Sequence, residues 1–231
     1  MFPIKDSIRS TKTPYVLYVI IMLNVIIFVY ELSLSKNDLI MLIHRYGLVP
    51  SRYTEGKIII QGTYEMSVNR FNLFPFLSST FMHGGWLHII SNMWTLFVFG
   101  DNIESKIGHV RFLAYYLIWG VLANIIQFSF ISNSNIAIIG ASGCVAGVMG
   151  AYLYYFPWSR ILTLVPIFFF PLLFEIPAYF FLVLWFFSQF FSGVFSVSSA
   201  SSAGVAWWAH IGGFVIGLLM AWKLSKHRGE A

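Results

Sequence analysis

Charge is what this sequence has least of. Asp, Glu, Lys and Arg make up 10% of its 231 residues, against about 25% in a soluble domain. So few charges cannot cover a water-facing surface, which excludes an ordinary soluble globule. Apolar residues reach 58% and mean hydropathy is +0.76, which excludes disorder as well. Cysteine occurs once, as Cys144, so no disulfide can close within the chain and packing must hold the fold. No His-Glu-x-x-His or Cys-x-x-Cys occurs, so a metal centre has no sequence support. The net charge of +5 on such a chain points to loop topology, with no nucleic-acid partner expected.

What the sequence has instead is long apolar runs and 19% aromatic residues, both suited to lipid. A spanning helix needs about 20 mostly apolar residues. Six stretches qualify or nearly do: Tyr15–Leu32, Trp86–Ile103, Phe112–Ile131, Ser142–Phe156, Ile176–Phe195 and Val205–Leu224. The first has no small-residue cleavage site and runs into Glu31 and a polar segment, so it reads as a helix and not a cleaved signal. The run 161–197 is too long for one helix, and Pro166, Pro171 and Pro177 divide it. Residues 160–174 are expected to connect at the membrane surface, with the fifth helix starting near Ile176.

The predicted architecture is an all-α polytopic membrane protein: a single domain over 1–231, with six transmembrane helices and a long outer loop, 33–85, between the first two. If all six segments span, nine basic residues share one side: Lys5, Arg9, Lys12, Lys106, Arg111, Arg160, Lys223, Lys226 and Arg228. The other five (Lys36, Arg45, Arg52, Lys57 and Arg70) all lie in the loop 33–85. The short loops 132–141 and 196–204 carry none. The positive-inside rule then puts both termini in the cytoplasm and the long loop outside. A multi-pass cell-membrane protein, plasma or inner, is the expected location.

Strongly polar residues inside a membrane are costly and by default suggest function. His88 and Asn92 lie in the second segment, Ser142 opens the fourth and His210 lies in the sixth. These three segments run in the same direction, and all four residues sit near their starts, so they lie at one depth. His88 and Asn92, four residues apart, share a helix face. Gly143, Gly147 and Ala151 form a small-residue stripe on segment four, matched by Ala209, Gly213 and Gly217 on segment six. Small stripes let helix backbones approach in lipid, and packing them together would set Ser142 beside His210. A serine whose proton an adjacent imidazole takes is an activated nucleophile. Free N–H groups at the start of the fourth helix favour developing negative charge, and Asn92 with His88 could add side-chain donors. No acid is expected at this depth to orient His210 or complete a metal site, which leaves a Ser–His dyad. Singly, each residue has a plainer use: a membrane serine packs, an asparagine bridges helices, a stripe only packs. His83 reads as a structural residue tying down the loop. Asp101, Glu104 and Glu175 read as anchors or loop caps, and Cys144 as a small buried residue.

These motifs are similar to those of rhomboid intramembrane serine proteases, over roughly 76–224. His83-Gly84-Gly85-Trp86-Leu87-His88 with Asn92 resembles the family's His-x4-His-x3-Asn. Gly140-Ala141-Ser142-Gly143 resembles its Gly-x-Ser-Gly, and Ala209-His210-Ile211-Gly212-Gly213 with Gly217 its Ala-His-x-Gly-Gly-x3-Gly. The resemblance implies Ser142 as nucleophile, His210 as general base, His88 and Asn92 at an oxyanion hole, and His83, Gly140, Gly143 and Gly213 as motif residues. It implies cleavage of membrane protein substrates, which helix-destabilising residues near the outer face would favour, with no metal or other cofactor. A non-catalytic relative that binds client transmembrane helices is the alternative. Some members carry a Trp-Arg pair where this chain has Asn72-Leu73-Phe74-Pro75-Phe76. Some place an aromatic one turn after the nucleophile to stack on the base, where this chain has Ala146.

Overall fold

The computed structural model describes residues 1–60, 64–167, 170–198 and 205–227. The last part of the expected loop 196–204 and Arg228 lie outside them. Five strands and nine α-helices occur among the described residues. In chain order they are β1 (Phe2–Asp6), α1 (Tyr15–Ser33), α2 (Lys36–Tyr46), α3 (Ser51–Thr54), β2 (Lys57–Ile60), β3 (Tyr64–Ser67), α4 (Pro75–Ser78), α5 (Trp86–Ile107), α6 (His109–Phe130), α7 (Ser142–Tyr155), β4 (Arg160–Ile167), β5 (Phe170–Pro177), α8 (Ala178–Ser198) and α9 (Trp207–His227).

The six apolar segments are all helices, with boundaries within a few residues of those expected. Four of them, α1, α6, α8 and α9, are long and apolar enough to cross a membrane. The other two differ for visible reasons: α5 ends on Asp101, Glu104 and Lys106, and α7 has only 14 residues. Gly108, at φ +90°, ends α5 and starts α6, a backbone turn that a side chain would strain. Residues from α1, α5, α6, α7, α8 and α9 share the main hydrophobic core.

The chain is mostly but not wholly helical, which corrects the all-α expectation. Segment 160–174 does connect α7 to α8, but as the hairpin β4–β5, and β1 joins it to make a three-stranded antiparallel sheet in the order β1-β4-β5. Alternating Ile161, Thr163, Val165 and Ile167 favour strand, and Pro166, Pro171 and Pro177 forbid a helix ladder. A register shift between Pro3 and Lys5 lets β1 carry a proline at the sheet edge. The N-terminal strand is fastened to the bundle: the Trp94 indole N–H donates to the Pro3 carbonyl at 2.7 Å, and Asp6 accepts from Asn102 Nδ2 at 2.7 Å and from the Tyr152 hydroxyl.

Glu104 is fully buried yet satisfied. Its carboxylate accepts the Val16 and Leu17 N–H groups at 3.0 and 2.7 Å. That caps the start of α1, where Pro14 offers no side-chain acceptor. Glu175 is exposed and pairs with Arg160 across β4–β5 at 3.7 Å.

The 33–85 segment is structured rather than a simple loop. It holds α2, capped by the Ser35 hydroxyl accepting from the Asp38 N–H, then α3, the β2–β3 hairpin and α4. It is stitched to the segment that leads into α7. Leu48 and Ile138 exchange both backbone bonds, at 3.1 and 2.8 Å, and Ser51 donates to Asn135 Oδ1 at 2.7 Å.

At the centre lies α7, whose residues from Gly143 to Tyr152 are all buried. Its most extensive neighbour is α9. A β-carbon on Gly213 would collide with the Gly143 carbonyl, one on Gly217 with the Gly147 carbonyl, and one on Gly150 with the Phe214 carbonyl. Backbone thus lies against backbone along the two small-residue stripes. Gly147 faces both ways: its carbonyl meets α9, whereas its Cα hydrogens meet Trp119 of α6, where a β-carbon would come within 2.6 Å of the Trp119 Cβ.

Candidate active site

Ser142 is the first residue of α7, and no side chain caps this end. The first intrahelical bond is Val145 N–H to Ala141 C=O at 3.0 Å, so the earlier amides have no acceptor within the helix. Ahead of it the chain turns at Gly140, φ +129°, whose N–H donates to the Ser79 carbonyl at 2.9 Å. Only glycine suits this position. A β-carbon there would lie 2.6 Å from His88 Nε2 and 3.8 Å from Ser142 Oγ. The same measurement shows that His88, from α5, sits over the turn that presents Ser142.

The His88 ring is oriented from behind. The Gly84 N–H lies 3.3 Å from His88 Nδ1. A backbone N–H can only donate, so Nδ1 holds the lone pair and Nε2, the atom facing Gly140, carries the proton. Asn92 is 6% exposed, and its Nδ2 has no hydrogen-bond partner among the described residues. A buried amide donor left unpaired costs stability, so its retention calls for a functional explanation.

His210 stands on α9 next to Ala209; a β-carbon on Gly143 would meet Ala123 of α6 at 2.8 Å and lie 3.8 Å from both the Ala209 Cβ and its carbonyl. The Ala209 N–H is held by the buried Gln127 of α6 at 3.1 Å. Ser142 and His210 are therefore on adjoining turns of packed helices, both half-buried. No hydrogen bond joins them among the described residues.

His83 does tie the loop, through its backbone: its N–H donates to Glu31 Oε2 at 3.2 Å. Its ring lies edge-on to His88, with centroids 5.1 Å apart. Burial, with the neighbouring His88, pushes His83 down to about 4, so it stands neutral beside the site. Glu31 corrects an expectation. An acid does lie at this level, 3% exposed at the end of α1, but it serves the His83 backbone and not His210. Cys144 is fully buried and fills the gap beside Gly120.

Two residues of α8 were missed. His210 Nδ1 is 2.8 Å from Gln189 Oε1, and the Trp185 ring lies 6.1 Å from the His210 ring at a 31° tilt. They are four residues apart, hence on one helix face. The signal was present: Gln189 is the one amide side chain in a run otherwise aromatic but for Ser188, Trp185-Phe186-Phe187-Ser188-Gln189-Phe190-Phe191. The rule that flagged Asn92 applies to it equally. Trp185 also supplies the aromatic neighbour that Ala146 does not.

Comparison with known proteins gives a coherent result. The Rhomboid domain model matches residues 70–227, about two thirds of the chain. The chain is similar to "Rhomboid protein 1, mitochondrial" of Saccharomyces cerevisiae, 25% identical over 194 residues, which are 80% of this chain and 46% of that protein. It is similar to "Rhomboid-like protein 11, chloroplastic" of Arabidopsis thaliana, 27% identical over 169 residues, 66% of this chain and 53% of the relative. A shorter match, 40% identical over 77 residues, is to the same plant's "RHOMBOID-like protein 4", covering 33% of this chain and 19% of the relative. The chain thus spans about half the length of the first two relatives.

Proposed function

The chain belongs to the rhomboid family, and from that premise we propose that it is an intramembrane serine endopeptidase working through Ser142 and His210. The observation that carries the reading is the convergence at the start of α7. Ser142 opens a helix with no side-chain cap among the described residues, His88 turns its Nε2–H toward the same turn, Asn92 holds a buried donor unpaired among the described residues one turn along, and α9 brings Ala209, the residue before His210, against Gly143.

In this mechanism His210 Nε2 takes the Ser142 hydroxyl proton as Oγ attacks a substrate carbonyl. The oxyanion forms at the helix N-terminus, where His88 Nε2–H and Asn92 Nδ2–H donate to it. The protonated His210 then gives its proton to the leaving amine, and water hydrolyses the acyl-enzyme by the reverse sequence. In a resting enzyme the nucleophile–base hydrogen bond is often long and tightens only with substrate, so adjacency without a formed bond suits this role.

The proposal extends to a single membrane domain in which all six long helices cross, both termini are cytoplasmic and the location is the cell membrane. Substrates would be membrane proteins whose transmembrane segments unwind readily near the outer face, because a helical peptide bond has its N–H and C=O engaged. Labelling by a fluorophosphonate tests the reading. The wild type should react and Ser142→Ala should not. An unreactive wild type would favour a non-catalytic protein that binds client helices.

A further inference from the structure

We propose that Gln189 is the positioning residue of His210, the third member that the Ser–His pair otherwise lacks; the proposal rests on the catalytic reading above. The argument starts from a backbone carbonyl. Trp185 C=O lies 2.6 Å from Ser188 Oγ and can only accept, so the Ser188 hydroxyl donates to it. Ser188 Oγ, with its proton used, accepts from Gln189 Nε2 at 2.9 Å. That fixes which way the amide points and turns Oε1 toward His210. An amide oxygen only accepts, so His210 Nδ1, 2.8 Å away, must be the protonated nitrogen. The lone pair of the neutral imidazole is thereby placed on Nε2, the nitrogen a general base for Ser142 needs. The two site histidines are thus held in opposite tautomers: His88 as a donor at Nε2, His210 as an acceptor there.

Position supports the assignment. Among the four long apolar helices α8 is the least buried, below even α1, and a glutamine there is costly unless paired. Its partner is a side chain on the next helix, 21 residues on in sequence. A plain helix-bridging role is the competing account, and such bonds contribute modestly to stability in membranes. The two accounts differ in what they predict for the imidazole itself.

The test uses the full chain in lipid nanodiscs, as wild type, Gln189→Leu and Gln189→Glu, with 15N-labelled histidine. Nitrogen shifts report the His210 tautomer, and fluorophosphonate labelling reports reactivity. In the wild type His210 should be the Nδ1–H form. Gln189→Leu removes the acceptor, so the Nε2–H form should appear and labelling should slow about 10–100-fold. A base locked in the wrong tautomer loses up to about 10⁴-fold, and here it is released rather than locked. Gln189→Glu keeps a carboxyl oxygen in place, charged or neutral, and should restore the Nδ1–H form and bring labelling back to within about tenfold of wild type. An unchanged tautomer and an unchanged labelling rate in Gln189→Leu would overturn the proposal. So would slow labelling in that variant with the Nδ1–H form retained. A tautomer that shifts as described in a protein that never labels would leave Gln189 holding the imidazole and sink the protease reading instead.

Discussion

Gly213→Ala adds one methyl group where α9 lies backbone-to-backbone on α7. The new β-carbon would fall on the Gly143 carbonyl, with Ala146 Cβ also close, at 3.3 Å. A carbonyl inside a helix cannot swing away, so the two helices must part. Overpacking of this kind costs about 1–3 kcal/mol. The larger effect should be catalytic. Gly143 follows Ser142 and Gly213 lies one turn beyond His210, so the wedge opens where nucleophile and base approach. A misplacement of about 1 Å can cost about 10²-fold in rate. We therefore expect the fluorophosphonate labelling rate to fall about 10²-fold while the protein remains folded, read by thermal unfolding in mild detergent. Gly193→Ala is the matched control. It also faces α9, but its β-carbon would meet nothing nearer than Trp207 Cβ at 3.4 Å, an ordinary contact. It should label within about twofold of wild type, since a compatible Gly→Ala change alters stability by only about 1 kcal/mol or less. Wild-type labelling and melting in Gly213→Ala would refute the backbone contact as the device that aligns the site.

Ser142→Ala and His210→Ala should each abolish nearly all peptide cleavage, and the double variant should be little worse than either, as for residues of one catalytic device; multiplicative losses would show that they act separately. Asn92→Ala should lower kcat by up to about 10²–10³-fold, the scale for one oxyanion donor, with little loss of thermal stability because its Nδ2 has no partner to lose among the described residues; a falling melting temperature with kcat retained would make Asn92 a helix bridge instead.

Much of this molecule was readable without coordinates, for reasons of solvent. Lipid demands long apolar runs, so the six segments announced themselves, and the prolines divided the longest run. Polar residues inside such runs are rare, so His88, Asn92, Ser142 and His210 stood out against their surroundings. The small-residue stripe of α9 likewise indicated the face that meets α7, whereas the α7 stripe meets α9 with its carbonyls and turns the Cα atoms of Gly143 and Gly147 toward Ala123 and Trp119 of α6. What the sequence left open were pairings between distant segments. Between Arg160 and Glu175 the run is apolar but for Thr163, and apolarity alone does not separate a surface connector from a hairpin. β1, more than 150 residues earlier, is what completes the sheet. Likewise, 33–85 reads as loop because its order comes from bonds to 134–140 rather than from local periodicity. Gly147 was readable as small, but only the packing shows that its Cα faces Trp119 while its carbonyl faces Gly217. The support of His210 was hidden for the same reason. The rotation of α8 about its own axis decides whether Gln189 faces lipid or a neighbouring helix, and packing against α9, not the order of residues along α8, sets that rotation.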